Sequence, residues 1–337
     1  MDLKNILKDN TNPIITDSFI KANSVINEKL VSRVLCSVSG GADSDVMMDL
    51  IHKVDEDKKV DYVWFDTGLE YQATKDHLQY LENRYDVEIK RVKPIKSIPQ
   101  SVKEYGVPVF SKQISAFLNL LVNHEFDWID KPYTELENKY GRCNSALKWW
   151  CNEKGKDIED ERKKNMFNIA GKKWLKEFLL ENPPQFKISK KCCDYAKKDV
   201  SKNMIKEGNY DILVIGVRKA EGGLRSTSYK NCFSPKDNKH KFANYRPLFW
   251  YSNKDRKDYE EQFGIIHSRC YTEYGLTRTG CVGCPYNIKI LDELAIIEKY
   301  EPKLYKAACN VFKDAYEFQR KFKSFRDKMN EGNEKCL

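Results

Sequence analysis

Apolar and polar positions alternate between two periods along the first third of the chain. Val34-Leu35-Cys36-Ser37-Val38 is a short β-type run that opens into Ser39-Gly40-Gly41-Ala42-Asp43-Ser44. Beyond that turn, Val46, Met47, Leu50, Ile51 and Val54 recur at helical spacing. A second β run, Val60–Phe65, ends in Asp66-Thr67-Gly68, and a helical stretch through Tyr80 and Leu81 leads to a third run at Val87–Val92. Strand and helix in alternation predict a parallel α/β sheet, with ligands beyond the carboxyl ends of its strands. The glycine turn and Asp66-Thr67-Gly68 both belong at that edge.

The rest of the chain reads differently. Residues 1–30 form an amphipathic helical lead-in with Phe19, Ile20, Val25, Ile26 and Leu30 as its apolar positions. Pro94 and Pro99 mark a change, and from about 95 to 190 the chain is mixed, aromatic and lysine-rich. There Trp149-Trp150 and Trp174 pack a subdomain or, alternatively, stack nucleic-acid bases. Sheet character returns at Asp211–Val217, and residues after 290 are helical and highly charged.

Composition narrows the class. Hydrophobic residues at 41% and charged residues at 32% describe a soluble globular protein. The formal charge of +9 would suit a polyanionic partner, but the lysines are scattered and describe a solvated surface equally well. The start, Met1-Asp2-Leu3-Lys4-Asn5, has no long apolar run behind it, so neither a signal peptide nor a membrane span is expected. The eleven cysteines are then expected in a reducing cytoplasm, where they bind metal or do chemistry more often than they form disulfides.

The glycine turn has the makings of a phosphate cradle. Adjacent glycines let the backbone approach an anion, and a helix N-terminus supplies N–H donors. Ser39 and Ser44 add hydroxyls, and Asp43 suits a Mg²⁺ bridge better than a phosphate. No Gly-Lys-Ser/Thr follows, so this is not a Walker loop. The plain alternative is an ordinary tight turn between strand and helix. Farther on, Gly216-Val217-Arg218 and Gly222-Gly223-Leu224-Arg225 place two arginines near the same edge, for phosphate or sulfate or simply as surface cations. Lys197 and Lys198 are similarly placed in the sequence.

Two cysteine pairs stand out, Cys192-Cys193 and Cys281-Val282-Gly283-Cys284. A glycine-containing C-x-x-C brings two thiolates to one metal or cluster, and a second pair completes four ligands. Neighbouring side chains diverge, so adjacent cysteines suit different irons of one cluster better than one tetrahedral zinc. Otherwise one of them ligates and Cys232 takes the place of Cys192. An iron–sulfur cluster is the leading expectation, with structural zinc as its main alternative and a thioredoxin-like redox pair as a further one. Cys36 and Cys309 read as small buried hydrophobes, and Cys336 sits one residue from the end.

Taken in order, these motifs resemble the adenine-nucleotide α-hydrolase (PP-loop) superfamily, in its phosphoadenylyl-sulfate/adenylyl-sulfate reductase branch. Ser39–Ser44 is similar to that superfamily's S-G-G-x-D-S pyrophosphate loop. Asp66-Thr67-Gly68, with Glu70 and Thr74, resembles the branch's D-T-G motif. Cys192-Cys193 with Lys197 resembles C-C-x-x-R-K, and Cys281–Cys284 its C-x-x-C partner. Gly216-Val217-Arg218 through Arg225 is similar to the G-x-R…R substrate grip, and Pro247-Leu248, Trp250, Asp255 and Tyr259 follow in the branch's order.

The resemblance implies an α/β fold with a parallel, doubly wound, Rossmann-like sheet, a largely helical insertion and a helical C-terminal extension. The expected layout is a lead-in at 1–30, a nucleotide-binding domain at 31–290 and an extension at 291–337. Within the domain lie the insertion at about 95–190 and the cysteine region at 192–284. It also implies an adenine nucleotide, ATP or adenylyl sulfate, with Mg²⁺ at the turn, and a 4Fe–4S cluster held by Cys192 or Cys232 with Cys193, Cys281 and Cys284.

Two departures bear on the reaction. The end reads Glu334-Lys335-Cys336-Leu337, without the glycine or histidine of the reductases' E-C-G-L-H tail, and the turn keeps the full S-G-G-x-D-S form of ATP-cleaving members. Both lean toward ATP-dependent adenylation and sulfur transfer, as in iron–sulfur transferases of the DNA phosphorothioation type. Asp43, Lys197, Lys198, Arg218 and Arg225 then carry the chemistry. The acceptor is a nucleic acid or a small molecule, and the donor a cysteine desulfurase or thioredoxin-like protein. Reduction of adenylyl or phosphoadenylyl sulfate through Cys336 is the alternative, and a zinc-stapled, non-enzymatic nucleotide module the second.

Overall fold

A computed structural model describes residues 6, 8, 10–154, 159, 164, 167–222, 228–237 and 241–334. The chain divides into two compact units: residues 1–97 with 195–282, and residues 98–194 with 283–337.

The first unit holds a six-stranded sheet. Its strands are β1 (Val34–Ser37), β2 (Val60–Phe65), β3 (Ile89–Val92), β4 (Ile212–Ile215), β5 (Phe233–Ser234) and β6 (Ala243–Tyr245). They run in the order β3-β2-β1-β4-β6-β5, and every pairing is parallel except β5 with β6. Alternate side chains face opposite ways along a strand, and here both faces are covered. Val34, Cys36, Tyr62, Trp64, Ile212 and Val214 join one apolar core with the Pro13–Ile26, Ala42–Val54 and Asn253–Phe263 helices. Leu35, Val63, Phe65 and Leu213 pack on the other face against Val200 and Ile205 of the Asp199–Gly208 helix.

The strand order explains where a ligand would sit. The chain builds β1, β2 and β3 in one direction, then resumes with β4 on the opposite side of β1. The connections leaving β1 and β4 therefore diverge and open a crevice at the carboxyl edge between them. The glycine turn follows β1, and Gly216-Val217-Arg218 follows β4, so both border that crevice. The Ala42–Val54 helix is anchored below it by Val46, Met47, Met48, Leu50, Ile51 and Val54, each at most 1% exposed. Each such side chain contributes about 1.5–3 kcal/mol by leaving water.

The second unit is helical. It joins residues 98–194 to residues 283–337, from the Ile98–Tyr105 helix to the long Lys313–Glu334 helix. Its core is aromatic: Phe117 stacks on Trp149 at 5.2 Å, Phe126 and Trp128 meet Trp150 edge-on, and Phe178 touches Phe318, Phe322 and Phe325. Trp149 and Trp150 are almost fully buried, so they pack this unit and offer no stacking platform. Trp174 is half-buried and donates its Nε1–H to Asn330 Oδ1. In the lead-in, Phe19 and Ile26 are buried as expected, whereas Ile20 and Leu30 are exposed.

Candidate active site

The cradle follows from glycine geometry. Gly40 has φ +65°, and a Cβ there would meet Thr74 Cγ2 at 2.9 Å. Gly41 begins the Ala42–Val54 helix without a side-chain cap, and a Cβ on it would lie 3.1 Å from Thr279 Oγ1 and 3.2 Å from the Tyr271 hydroxyl. Tyr271 accepts the Ala42 N–H at 3.3 Å and shares a hydrogen bond with Thr279 Oγ1 at 2.9 Å. Ser44 Oγ accepts the Ser39 N–H at 2.8 Å, so that hydroxyl shapes the loop and keeps only its own proton to donate.

A chain of alternating charge runs beneath the turn. Asp43 Oδ1 accepts from Arg218 Nε at 2.8 Å and from Arg256 at 3.2 Å. Arg218, 5% exposed, also donates to Asn253 Oδ1 at 3.0 Å. Arg256 Nε lies 2.9 Å from Glu260 Oε1, which lies 3.0 Å from His267 Nε2. His267 Nδ1 is 2.8 Å from Asp45 Oδ2, and His77 Nε2 reaches the same oxygen at 3.0 Å. Burial opposes a charge on His267, yet the contacts with Asp45 and Glu260 outweigh it and raise its pKa to about 9. Of this chain, only Asp43 and Arg218 stand out in the sequence. The Arg256–Glu260 spacing is a legible helical pair, but no local pattern marks His77 or His267.

The loop after β2 is the second half of the edge. Asp66 Oδ1 accepts the Gly68 N–H at 2.8 Å, a short turn that Gly68 completes with φ +78°. Thr67 Oγ1 donates to Glu70 Oε1 at 2.7 Å, and Lys197 Nζ lies 3.6 Å from that oxygen. Burial raises the Glu70 pKa, while Lys197 and Thr67 oppose the rise. Lys197 follows the cysteine pair within a π-helical turn, Asp194–Lys198, a distortion often found at functional sites. Lys198 is exposed.

Cys281 sits between these two loops. Two residues before it, Thr279 bonds Tyr271 at the glycine turn; one residue after it, the Val282 N–H donates to Leu69 O at 2.9 Å. Cys232 is placed elsewhere on the edge. It precedes β5, four strand spacings from β2 or roughly 19 Å, and borders a small pocket with Asp17, Lys21 and Trp250. Cys192, Cys193 and Cys284 belong to the second unit, where burial first and then all three thiols raise the Tyr286 phenol well above its ordinary range. In that unit Tyr316 donates to Gly283 O and Gln319 to Pro285 O, so the long C-terminal helix holds the stretch around Cys284.

Among the described residues no group of three or more His, Cys, Asp or Glu side chains is set to hold a metal ion. The shared surroundings of three thiols nevertheless fit thiolate ligation by their chemistry. Arg225 and Cys336 lie outside the described residues. No described helix is long and apolar enough to cross a membrane.

A family model for the phosphoadenosine phosphosulfate reductase domain matches residues 33–117 and 108–287. An uncharacterized protein of Methanocaldococcus jannaschii is 37% identical over 81 residues, 24% of this chain and 16% of that protein, so the chain matches a small part of that relative's length. Among solved structures, phosphoadenylyl-sulfate reductase from Candida auris has a TM-score of 0.43 at 12% identity, covering 83% of this chain and 94% of that one. A tRNA thiolase from Methanococcus maripaludis with its 4Fe–4S cluster has a TM-score of 0.37 at 14% identity, covering 91% and 79%. These are distant likenesses.

Proposed function

The chain belongs to the phosphoadenosine phosphosulfate reductase domain family, and from that premise we propose that it binds ATP at the glycine turn and catalyses adenylation coupled to sulfur transfer. The observation that carries this reading is the position of Cys281, bracketed by Thr279 at the turn and Val282 on the Leu69 carbonyl. A cysteine whose neighbours are tied to both loops belongs with sulfur chemistry at the nucleotide.

In this reading an acceptor oxygen attacks the α-phosphorus of ATP and pyrophosphate leaves. Sulfide-level sulfur delivered by the donor then attacks the activated centre of the acceptor, and AMP leaves carrying the former acceptor oxygen. The backbone around Gly40 and Gly41 holds the phosphates, with Ser39, Ser44, Asp66, Thr67 and Gly68 lining the two loops. Arg218, already partnered by Asp43, supplies fixed positive charge without reorganising, and Lys197, Lys198 and Arg225 add to it. Asp43 is the carboxylate to hold Mg²⁺. Cys192, Cys193, Cys281 and Cys284 are the proposed cluster ligands, on their spacing and soft donor chemistry; Cys232, at the far edge of the sheet, is the weaker candidate. A cluster held by these thiolates would supply a site for binding sulfur.

Exchange of labelled pyrophosphate into ATP, with nucleic acid supplied as the acceptor, tests the proposal on anaerobically purified protein, and Arg218→Ala is expected to abolish it. Sulfite release from adenylyl sulfate without any exchange would overturn it in favour of the reductase reading. That second reading is favoured by the family itself, with Cys336 as nucleophile. Binding without turnover, by a colourless zinc protein, would point instead to the non-enzymatic module.

A further inference from the structure

Five residues beneath the glycine turn have no place in the chemistry above, and they are not arranged at random. Asp45 is fully buried on the first turn of the helix that leaves the cradle, two residues from Asp43. A buried carboxylate so close to a bound polyphosphate would repel it unless something neutralises it. His267 meets that need, and His77 Nε2 lies 3.0 Å from the same Asp45 oxygen. Glu260, whose carboxyl faces His267 Nε2, is in turn paired with Arg256, and Arg256 ends on Asp43. Every carboxylate in the series has two cationic or imidazole groups within 3.2 Å of one of its oxygens.

We infer that His267 and Arg256 are positioning residues of the nucleotide site: they neutralise Asp45 and Glu260 and hold Asp43 against Arg218, so that the cradle accepts a polyanion. The inference rests on the reading that the nucleotide binds at the glycine turn.

The groups facing His267 come from each element packed around it. Asp45 comes from the Ala42–Val54 helix, and Glu260, with Arg256 behind it, from the Asn253–Phe263 helix. His77 of the Gln72–Tyr85 helix acts through the shared Asp45 oxygen, and Tyr271 of the short Arg269–Thr272 helix places its ring 5.9 Å away. His267 Nδ1 bonds Asp45 Oδ2 and Nε2 lies 3.0 Å from Glu260 Oε1, so between these two carboxyl groups the imidazole does its work as a cation. Burial disfavours that cation, but the two carboxyl groups keep it to about pH 9. Loss of its proton leaves Asp45 under-neutralised beside the phosphates, so nucleotide affinity falls as pH rises through that value.

The experiment measures ATP affinity by calorimetry from pH 6.5 to 10 for the wild type, His267→Asn, His267→Arg and Glu260→Gln. The wild type is expected to bind evenly up to about pH 8 and more weakly above. His267→Asn should bind roughly tenfold more weakly at pH 7 and lose the fall near pH 9. His267→Arg, which keeps the charge, should recover affinity without regaining the fall. Glu260→Gln removes one of the two carboxylates that hold the proton, so its fall should come at lower pH; this variant serves even if His267→Asn folds poorly. A wild-type profile in His267→Asn, or an unmoved fall in Glu260→Gln, overturns the inference while leaving the nucleotide reading standing. No ATP binding by the folded wild type at any pH overturns both.

Discussion

Asp45 and Asp49 lie four residues apart on one helix, and both are buried, at 0% and 1% exposure. Their surroundings differ in direction. Asp49 is closed off: the Tyr85 hydroxyl donates to one oxygen at 3.0 Å, the Tyr259 hydroxyl to the other at 2.7 Å, and Lys53 pairs with it one turn on. Burial foremost, and then Asp49 among the charges around them, raises the pKa of both tyrosines. They therefore remain neutral donors across the working pH range. Asp45 passes its contacts onward, through His267, Glu260 and Arg256, to the edge of the cradle. Residue type and burial are the same at both positions. What separates a structural carboxylate from one that serves a site is where its partners lead.

The contrast can be broken by mutation. Asp49→Ala strands two tyrosine hydroxyls and a lysine in the interior, and removing one partner of a buried charged cluster costs about 3–5 kcal/mol. Urea unfolding should register that loss, while the folded fraction binds ATP within about twofold of the wild type. An Asp49 variant with wild-type stability and impaired nucleotide binding would erase the distinction.

A smaller effect comes from His267, and its sign follows from linkage. The folded pKa of about 9 lies above the unfolded value near 6.5, so the folded state holds the proton more tightly. Stability from this source is fully present below about pH 6.5 and is lost as pH rises through 9; its size is at most about 3 kcal/mol. The difference in urea midpoint between wild type and His267→Asn should therefore shrink between pH 6.5 and 10. A gap that stays constant with pH would show that the imidazolium contributes nothing of this kind.

Much of this was legible in the chain because it is local. β1 to β4 announce themselves as apolar runs, and the glycine turn is fixed by consecutive residues. β5 and β6 are two and three residues long, too short for any alternation to register, and they form only because neighbouring strands pair with them. The site divides the same way. Ser39 to Ser44 and Asp66 to Gly68 are contiguous motifs, whereas the Asp45–His267 contact joins residues 222 positions apart. Trp149-Trp150 shows the opposite hazard, since an aromatic pair reads alike whether it fills a core or offers a stacking face. Cys232 is ambiguous for a related reason: spacing counts residues along the chain, and strand order decided how far across the sheet it lies from β2.

The smallest perturbation separates fold from function most cleanly. Gly40 and Gly264 both have left-handed φ, at +65° and +58°. An L-residue in that region costs about 1–2 kcal/mol, so this conformational part of the cost of alanine is common to the two positions. Their surroundings are unlike. Gly264 ends the Asn253–Phe263 helix with nothing within 4 Å of an added Cβ, whereas a Cβ on Gly40 meets Thr74 Cγ2 at 2.9 Å. The Thr74 methyl can yield only by moving a side chain that is itself 2% exposed, or else the turn must shift. Either way the N–H groups around Gly40 and Gly41 lose their alignment for a phosphate. Gly40→Ala is therefore expected to lose more unfolding free energy than Gly264→Ala and to weaken ATP binding by its folded fraction at least tenfold, whereas Gly264→Ala should leave binding unchanged. Equal affinities in the two variants would mean that the turn is an ordinary connection between strand and helix, and that the nucleotide sits elsewhere.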